Sequence, residues 1–272
     1  VMLLHGKNFF GAYWKSTIAA LSDSGYRVVV PDQVGFGKSS KPDIQYSFHL
    51  LASETKALLD SLGVERTTVV GHSMGAFVSV VFAHRHPSRV ESLLLVDGGL
   101  PLDVPPGLDA DAVVAHVLGP TAARLSMRFG SIDDYLEFWR PHPAFAQAWS
   151  PELESYFAYD LVDDGSGMLR PATSYETMVD DTIDMNTGSS LPDALADLQH
   201  PTTLITVPRG LQGEEPGLYA PEYLEGVLAT YPSIEHTRLD DLNHYTIVMS
   251  EQGARVVGEA VRSVLAQPRS VA

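Results

Sequence analysis

The sequence contains no cysteine among its 272 residues. This absence excludes disulfide bonds, thiolate metal ligands and a cysteine nucleophile, so nucleophilic chemistry must come from another side chain. The sequence also lacks an apolar run of about eighteen residues and a charged segment followed by an apolar one. It therefore predicts neither a membrane span nor a signal peptide, and we expect a cytoplasmic protein without a membrane partner.

Basic residues are scarce, with 18 Lys and Arg against 34 Asp and Glu and a formal net charge of −16. This balance argues against nucleic acid and anionic membrane surfaces as partners. Residues 101–199 alone hold 17 Asp and Glu against four Arg and no Lys. We interpret this segment as a solvated acidic surface that keeps the protein soluble. The alternative interpretation is that it disfavours anionic substrates.

Short apolar, β-branched runs alternate with helical patterns along much of the chain. Ser47 is placed to cap a helix that runs to Leu62, with Gly63 just past its end, and a last helix is predicted from Glu251 to Gln267. Such alternation predicts an α/β fold with a mostly parallel, doubly wound sheet. The predicted strands are Val1–His5, Tyr26–Val30, Thr67–Val70, Val90–Val96, Thr202–Thr206 and Ile234–Leu239.

The alternation breaks between Asp97 and about Pro201, where we find no convincing strand but many aromatic residues. We therefore predict a core domain of residues 1–99 and 201–272, with a helical cap (lid) of residues 100–200 inserted between them. Ligand sites of open α/β sheets lie beyond the carboxyl ends of the strands, so such a cap would roof the site. We expect three of its aromatic side chains to line an apolar substrate pocket: Phe138, Trp139 and Trp149.

The start of the chain lies inside a predicted strand. The first residue is Val1, and no initiator methionine precedes it. We expect the natural protein to have further residues before this point.

Chemistry is indicated most strongly by Gly71-His72-Ser73-Met74-Gly75, a G-x-S-x-G pattern between an apolar strand and an apolar helix. In this context the serine sits on a tight turn that exposes its hydroxyl as a nucleophile. The turn also places the amide of Met74 at a helix N-terminus, where it can stabilise an oxyanion.

A serine nucleophile needs a base, and that base needs an orienting carboxylate. Ten histidines are present. His244 is the one in a loop between the last predicted strand and the last predicted helix, at the same sheet edge as Ser73. We therefore predict His244 as the general base, and we expect His5 and His72 to hold loops in place.

These motifs together resemble the α/β-hydrolase superfamily. The matching stretches are His5-Gly6-Lys7-Asn8, Pro31 to Ser39, Gly71 to Gly75 and Asn243-His244, in the order of the family. The resemblance implies an eight-stranded sheet whose first two strands form an antiparallel edge, and this chain begins at the third. It also implies that the amide of Lys7 is the second oxyanion donor, with a side chain that we expect to face solvent.

The triad acid is less clear from the sequence. In most members it follows the next-to-last strand, but here no Asp follows Leu204–Gly210, and only Glu214 and Glu215 come shortly after. The other location known in the superfamily is the end of the strand that follows the Gly71–Gly75 turn, and Asp97 occupies this position. We prefer Asp97 and keep Glu214 and Glu215 as alternatives.

The resemblance implies hydrolysis of a carboxylic ester or lactone through an acyl-enzyme. Dehalogenases and epoxide hydrolases of the superfamily attack with an Asp, which disfavours these two branches for a serine. C–C bond hydrolysis and perhydrolysis use the same triad and stay open, as does a ligand receptor on this fold. We expect a small-molecule substrate that is bulky, apolar and neutral. We expect no metal or other cofactor. The sequence does not predict the oligomeric state.

Overall fold

A five-stranded parallel sheet forms the centre of the protein in the computed structural model. The structure describes residues 1–21, 23, 25–104, 112, 123–173 and 188–266. The strand order is β1-β2-β3-β6-β7, which confirms the predicted mostly parallel sheet with flanking helices. Its strands are β1 (Met2–Leu4), β2 (Thr67–His72), β3 (Val90–Val96), β6 (Thr202–Thr206) and β7 (Ile234–Arg238).

Helices connect these strands and cover both faces of the sheet. Ser47 caps α2 by accepting a hydrogen bond from the amide of Leu50, as its position before the helix predicts. The last helix ends at Ala266, and Gln267 lies outside the described residues. The helices are α1 (Lys15–Leu21), α2 (Phe48–Ser61), α3 (Met74–Arg85), α4 (Ile132–Trp139), α5 (Pro151–Asp160), α6 (Ser190–Ala196), α7 (Pro221–Thr230), α8 (Thr246–Met249) and α9 (Glu251–Ala266).

Successive strand residues point to opposite faces of the sheet and build two separate cores. In β3, Leu93 and Leu95 join the core beneath α2, α3 and α6, whereas Leu94 and Val96 join the core beneath α1 and α9. All four side chains are fully buried. A strand that is buried on both faces reads as a continuous apolar run, which is why these strands were visible in the sequence.

The strand predicted at Tyr26–Val30 is wrong. Only Val29 pairs with the sheet, through a single bridge to Met2, while Tyr26 is exposed. The neighbouring β1 offers only three strand residues. Pro31, which follows, has no N–H with which to continue a ladder.

The expectation of no strand between Asp97 and Pro201 is also wrong. The strands β4 (Leu161–Asp163) and β5 (Leu169–Pro171) form an antiparallel hairpin. Three residues are too few to show a period of two, so the only sequence signal was the Gly-rich turn between the strands.

The segment between β3 and β6 has an aromatic core of its own and a buried ion pair. Arg124 donates to the carboxylate of Asp160, and both side chains are almost fully buried. The Tyr135 hydroxyl completes this cluster by donating to the same carboxylate. Part of the acidic segment is therefore buried and paired rather than solvated. Residues 105–111, 113–122 and 174–187 of the predicted cap lie outside the described residues.

Within the described part of the chain, no helix combines the length and apolarity that crossing a membrane requires.

The start of α3 packs unusually close to β1 and β2. A Cβ on Gly75 would lie 2.3 Å from the carbonyl oxygen of Leu4, and a Cβ on Gly71 would lie 2.2 Å from the carbonyl oxygen of Gly75. Both distances are far below van der Waals contact, and the atoms that would be met are backbone. Glycine at these two positions is therefore what allows the helix to begin against the sheet.

We predict that Gly75→Ala lowers the free energy of unfolding by about 1–3 kcal/mol, because the added methyl group overpacks a rigid backbone. Gly226→Ala is the matched control: Gly226 also lies in a helix, but a Cβ there meets nothing within 4 Å. Removing a helical glycine from open space should raise the free energy of unfolding by up to about 1 kcal/mol. Urea unfolding of both variants measures the difference, and equal effects of the two substitutions would contradict this account of the packing.

Candidate active site

The turn between β2 and α3 carries Ser73 in a backbone conformation that few residues adopt. Its φ of 53° and ψ of −126° lie outside the regions favoured for residues with a side chain. Such a conformation costs about 1–3 kcal/mol and persists only where the surroundings impose it. Here the Ser73 amide donates to the carbonyl of Val96 at 3.0 Å, and Gly6 and Gly98 pack against the turn. The strain is thus held by both neighbouring strand ends.

His244 lies within hydrogen-bond distance of the serine. Its Nε2 is 3.0 Å from Ser73 Oγ, and its Nδ1 is 2.6 Å from Asp97 Oδ2. Because an ionised carboxylate only accepts, Nδ1 carries the proton and Nε2 is left to accept the serine hydroxyl. The structure therefore brings together the three side chains that the sequence nominated.

Asp97 directly follows β3 and is fully buried. Besides His244, its carboxylate accepts a long hydrogen bond of 3.4 Å from the amide of Val207, which directly follows β6. Glu214, one alternative acid, instead accepts from the amide of Gln212 at 2.6 Å. In this structure the His244 ring is thus paired with Asp97.

The loop that carries His244 is fixed at both sides of the histidine. The His244 amide donates to the carbonyl of Arg209 at 2.9 Å. Next to it, the side-chain oxygen of Asn243 accepts from the amides of Tyr245 and Thr246 at 3.0 and 2.9 Å and so fixes the turn that leads into α8. The Asn243 amide group also donates to the carbonyl of Ala144 at 2.8 Å, which ties this loop to the segment between β3 and β6.

The two nominated oxyanion donors flank the serine. Met74 is the first residue of α3, where an amide has no carbonyl one turn earlier in the helix. Lys7 follows Gly6, which packs against the serine turn, since a Cβ on Gly6 would lie 2.9 Å from Ser73 Cβ. The expectation of a solvent-facing Lys7 is wrong, since this residue is only 7% exposed.

A buried chain of hydrogen bonds links the loops around the site, and sequence reasoning missed its central member, Tyr13. The Tyr13 hydroxyl accepts from the amide of Gly6 at 2.7 Å and lies 3.0 Å from His72 Nδ1. His72 Nε2 lies 2.8 Å from the carbonyl oxygen of His244. Nothing local marks this role, because Tyr13 and His72 stand 59 residues apart in the sequence.

Burial keeps two histidines near the site neutral. Desolvation lowers the pKa of His72 well below its usual value, and the nearby His244 lowers it further. Burial likewise lowers the pKa of His5 to about 4. His5 accepts from the amide of Gln33 through Nε2 and therefore donates to the Gly6 carbonyl through Nδ1, both at 2.8 Å. Both rings make contacts that hold loops.

The nominated pocket aromatics occupy different environments. Trp139 is 2% exposed and stacks on Phe157 with ring centres 4.5 Å apart, inside the aromatic core of the segment between β3 and β6. Phe138 is half-buried at the edge of this core. Trp149 is half-buried, and its Nε1 donates to Glu154 at 2.9 Å.

Three aromatic residues closer to the site were not nominated from the sequence. Tyr245 directly follows His244, and its ring lies 5.2 Å from that of Phe9. Phe9 in turn contacts the ring of Tyr156 at 6.0 Å. The position of Phe9 and Tyr245 beside motif residues was the signal that could have found them.

No group of three or more His, Asp or Glu residues suited to holding a metal ion occurs within the described ranges.

Comparison with known proteins agrees with this architecture. A sequence model of the family described as alpha/beta hydrolase fold matches residues 1–123. Epoxide hydrolase B of Mycobacterium tuberculosis is 44% identical over 91 residues, which cover 33% of this chain and 26% of that protein. The matched stretch thus spans about a quarter of that relative. A separate match to Protein ABHD8 of Bos taurus is 30% identical over 136 residues, which cover 48% of this chain and 32% of that protein.

Solved structures match over nearly the whole chain. A probable hydrolytic enzyme of Pseudomonas aeruginosa PAO1 is 29% identical with a TM-score of 0.69, covering 98% of this chain and 85% of that one. E-2-(Acetamidomethylene)succinate hydrolase is 20% identical with a TM-score of 0.78, covering 97% of this chain and 90% of that one. With the parallel sheet and the serine turn between β2 and α3, these matches show that the chain has an α/β-hydrolase fold.

Proposed function

We propose that this protein is a serine hydrolase that cleaves a carboxylic ester or lactone of a bulky, apolar and neutral substrate. The observation that carries the proposal is the continuous hydrogen-bonded series from Ser73 Oγ through His244 to Asp97, at 3.0 and 2.6 Å. A nucleophile, a base and an orienting carboxylate in this order are the elements of acyl transfer. A serine forms an acyl ester that water can cleave, which favours this chemistry over epoxide opening.

In the first half of the reaction, Ser73 Oγ attacks the substrate carbonyl carbon while His244 Nε2 takes the hydroxyl proton. The carbonyl oxygen becomes an oxyanion. When the C–O bond breaks, His244 returns that proton to the leaving alkoxide. The products of this half are the acyl-enzyme on Ser73 and an alcohol, which in a lactone stays attached to the acyl group.

In the second half, water replaces the alcohol. His244 accepts a proton from the water as its oxygen attacks the acyl carbon, and returns the proton to Ser73 Oγ as the ester bond breaks. Throughout, Asp97 stabilises the imidazolium and fixes the ring tautomer. The carboxylic acid leaves, and the enzyme is restored.

The amides of Lys7 and Met74 are proposed to stabilise the oxyanion. Both residues adjoin the turn that carries Ser73, and Met74 adds the positive end of the α3 dipole. Backbone donors of this kind are fixed before the reaction, so no reorganisation is needed when the charge develops.

Residues 100–200 are proposed to form the cap over this site, inserted into a core of residues 1–99 and 201–272. Contacts with core loops support the proposal: Tyr156 stacks on Phe10 with ring centres 4.3 Å apart, and the Asn243 side chain donates to Ala144. The density of aromatic rings in this segment favours an apolar substrate. Of the three aromatic residues nominated from the sequence, the half-buried Phe138 and Trp149 remain our proposed substrate-contacting residues, whereas Trp139 belongs to the packed core of this segment.

We predict that a fluorophosphonate probe labels the protein once, at Ser73, and that Ser73→Ala abolishes labelling. The same variant should lower kcat on a 4-nitrophenyl ester by at least about 10³-fold, because the acyl-enzyme cannot form. Ser79→Ala is the matched control, since Ser79 lies buried in α3 with its hydroxyl bonded to the Gly75 carbonyl. Mass spectrometry of the labelled peptide decides the matter, and labelling that survives in the Ser73 variant would refute the assignment.

We predict that Asp97→Asn lowers kcat by roughly 10³- to 10⁴-fold without unfolding the protein, because the new amide donates to Nδ1 and imposes the wrong histidine tautomer. Glu214→Gln and Glu215→Gln serve as charge-matched controls and should retain kcat within about twofold. Steady-state kinetics and circular dichroism measure both effects. A loss confined to either glutamate variant would reassign the acid.

Substrate charge gives a further prediction. A neutral aryl ester should show a kcat/KM at least about tenfold above that of its analogue with a carboxylate on the acyl chain. The reason is the net charge of −16, which repels an approaching anion. The preference should shrink in high salt, which screens this repulsion. A salt-independent ratio, or a preference for the anionic ester, would contradict the charge argument.

A further inference from the structure

We infer that Tyr13 and His72 are positioning residues. Together they hold the loop of Gly6 and Lys7 and the loop of His244 in one geometry around Ser73. This inference rests on the proposed serine hydrolase function. It is carried by three buried hydrogen bonds: Gly6 amide to Tyr13 hydroxyl, Tyr13 hydroxyl to His72 Nδ1, and His72 Nε2 to the His244 carbonyl, at 2.7, 3.0 and 2.8 Å.

The direction of every bond in this series is fixed by chemistry. The His244 carbonyl can only accept, so His72 Nε2 carries the proton and donates. A neutral imidazole then has no proton on Nδ1, which must accept from the Tyr13 hydroxyl. The Tyr13 oxygen in turn accepts from the Gly6 amide, so with neutral His72 every donor in the series has one acceptor.

The surroundings keep both side chains in these roles. Burial raises the pKa of Tyr13 well above its usual value, so its hydroxyl keeps the proton that it donates. His72 is buried as well, and its ring centre lies 4.7 Å from that of His244. A neutral His72 at this distance leaves His244 free to become the imidazolium during turnover, since a second positive charge there would oppose it.

The series joins the three segments that the proposed reaction needs. Gly6 precedes Lys7, a proposed oxyanion donor, and His72 precedes the nucleophile. The His244 carbonyl belongs to the base itself. Asp97 fixes the His244 ring from one side, and His72 fixes its backbone from another. Through its hydroxyl, Tyr13 connects the first of these segments to the other two.

A double-mutant cycle tests this inference, with the rate of fluorophosphonate labelling and the kcat on a 4-nitrophenyl ester as readouts. Tyr13→Phe removes the hydroxyl, and His72→Asn is too short to reach the His244 carbonyl. Each single variant should lower both quantities by about 10- to 100-fold with KM changed less than about threefold, because positioning acts on the reaction rather than on binding. In the double variant, the labelling rate and kcat should be no more than about threefold below those of the less active single variant.

Tyr46→Phe is the matched control. Tyr46 is also buried, and its hydroxyl donates to the Pro42 carbonyl at 3.0 Å. This variant should keep both rates within about twofold. Independent, multiplying effects of the Tyr13 and His72 variants, or an equal loss in the Tyr46 variant, would overturn the inference. If the wild-type protein is not labelled at all, the proposed function fails instead.

A second measurement needs neither activity nor a variant. Nitrogen-15 NMR of the histidine rings in the wild-type protein should show His72 as the Nε2–H tautomer and His244 as the Nδ1–H tautomer at neutral pH. A His72 ring that is protonated on Nδ1 would overturn the inference, whatever the outcome of the labelling experiment.

Discussion

The close approach of α3 to the sheet is the constraint on which the rest of the site depends. Because Gly71 and Gly75 allow the helix to begin in contact with β1 and β2, the chain must reverse within a single residue. That residue is Ser73, and its unfavourable backbone angles are the local cost of the tight packing. The same packing lifts the hydroxyl away from the sheet edge toward His244. The position of α3, the backbone strain at Ser73 and the exposure of its hydroxyl therefore have the same cause.

Residues from distant parts of the sequence meet at the turn that carries Ser73. Strand β3 supplies Asp97, the loop after β7 supplies His244, and the loop after β1 supplies Gly6 and Lys7. Parallel strands end at the same edge, so their following loops meet there although they are far apart in the sequence. Final alignment is left to hydrogen bonds, and the buried series through Tyr13 and His72 links the loop after β1 and the end of β2 to the loop after β7.

The sequence predicted those parts of the fold whose signal is local. Doubly buried strands such as β2 and β3 are continuous apolar runs, and Ser47 marks the start of α2 by its own capping chemistry. Residues 26–30 have a composition typical of a strand, but the edge strand beside them, β1, has only three residues with which they could pair. Composition alone does not show whether a pairing strand is present. The β4–β5 hairpin is too short to show a periodic pattern.

For the site, the sequence nominated Ser73, His244 and Asp97, and these side chains meet in the structure. It could not choose between Asp97 and the glutamates by residue type alone, because the choice depends on which loop faces the histidine ring. Tyr13 was missed for a related reason: its two partners are a backbone amide and an imidazole from another motif. A hydroxyl that bonds to groups from other loops gives no spacing pattern in the sequence by which it could be recognised.

The two faces of the central sheet differ in what a change in packing can reach. The core beneath α2, α3 and α6 consists mainly of aliphatic residues from strands and helices. On the other face, the core continues without interruption from Leu94 and Ile205 to Phe145 and Tyr245, beside His244. Away from the start of α3, substitutions on the first face can therefore alter the stability of the protein with little effect on the site. On the second face stability and site geometry depend on the same side chains, so a substitution there changes both.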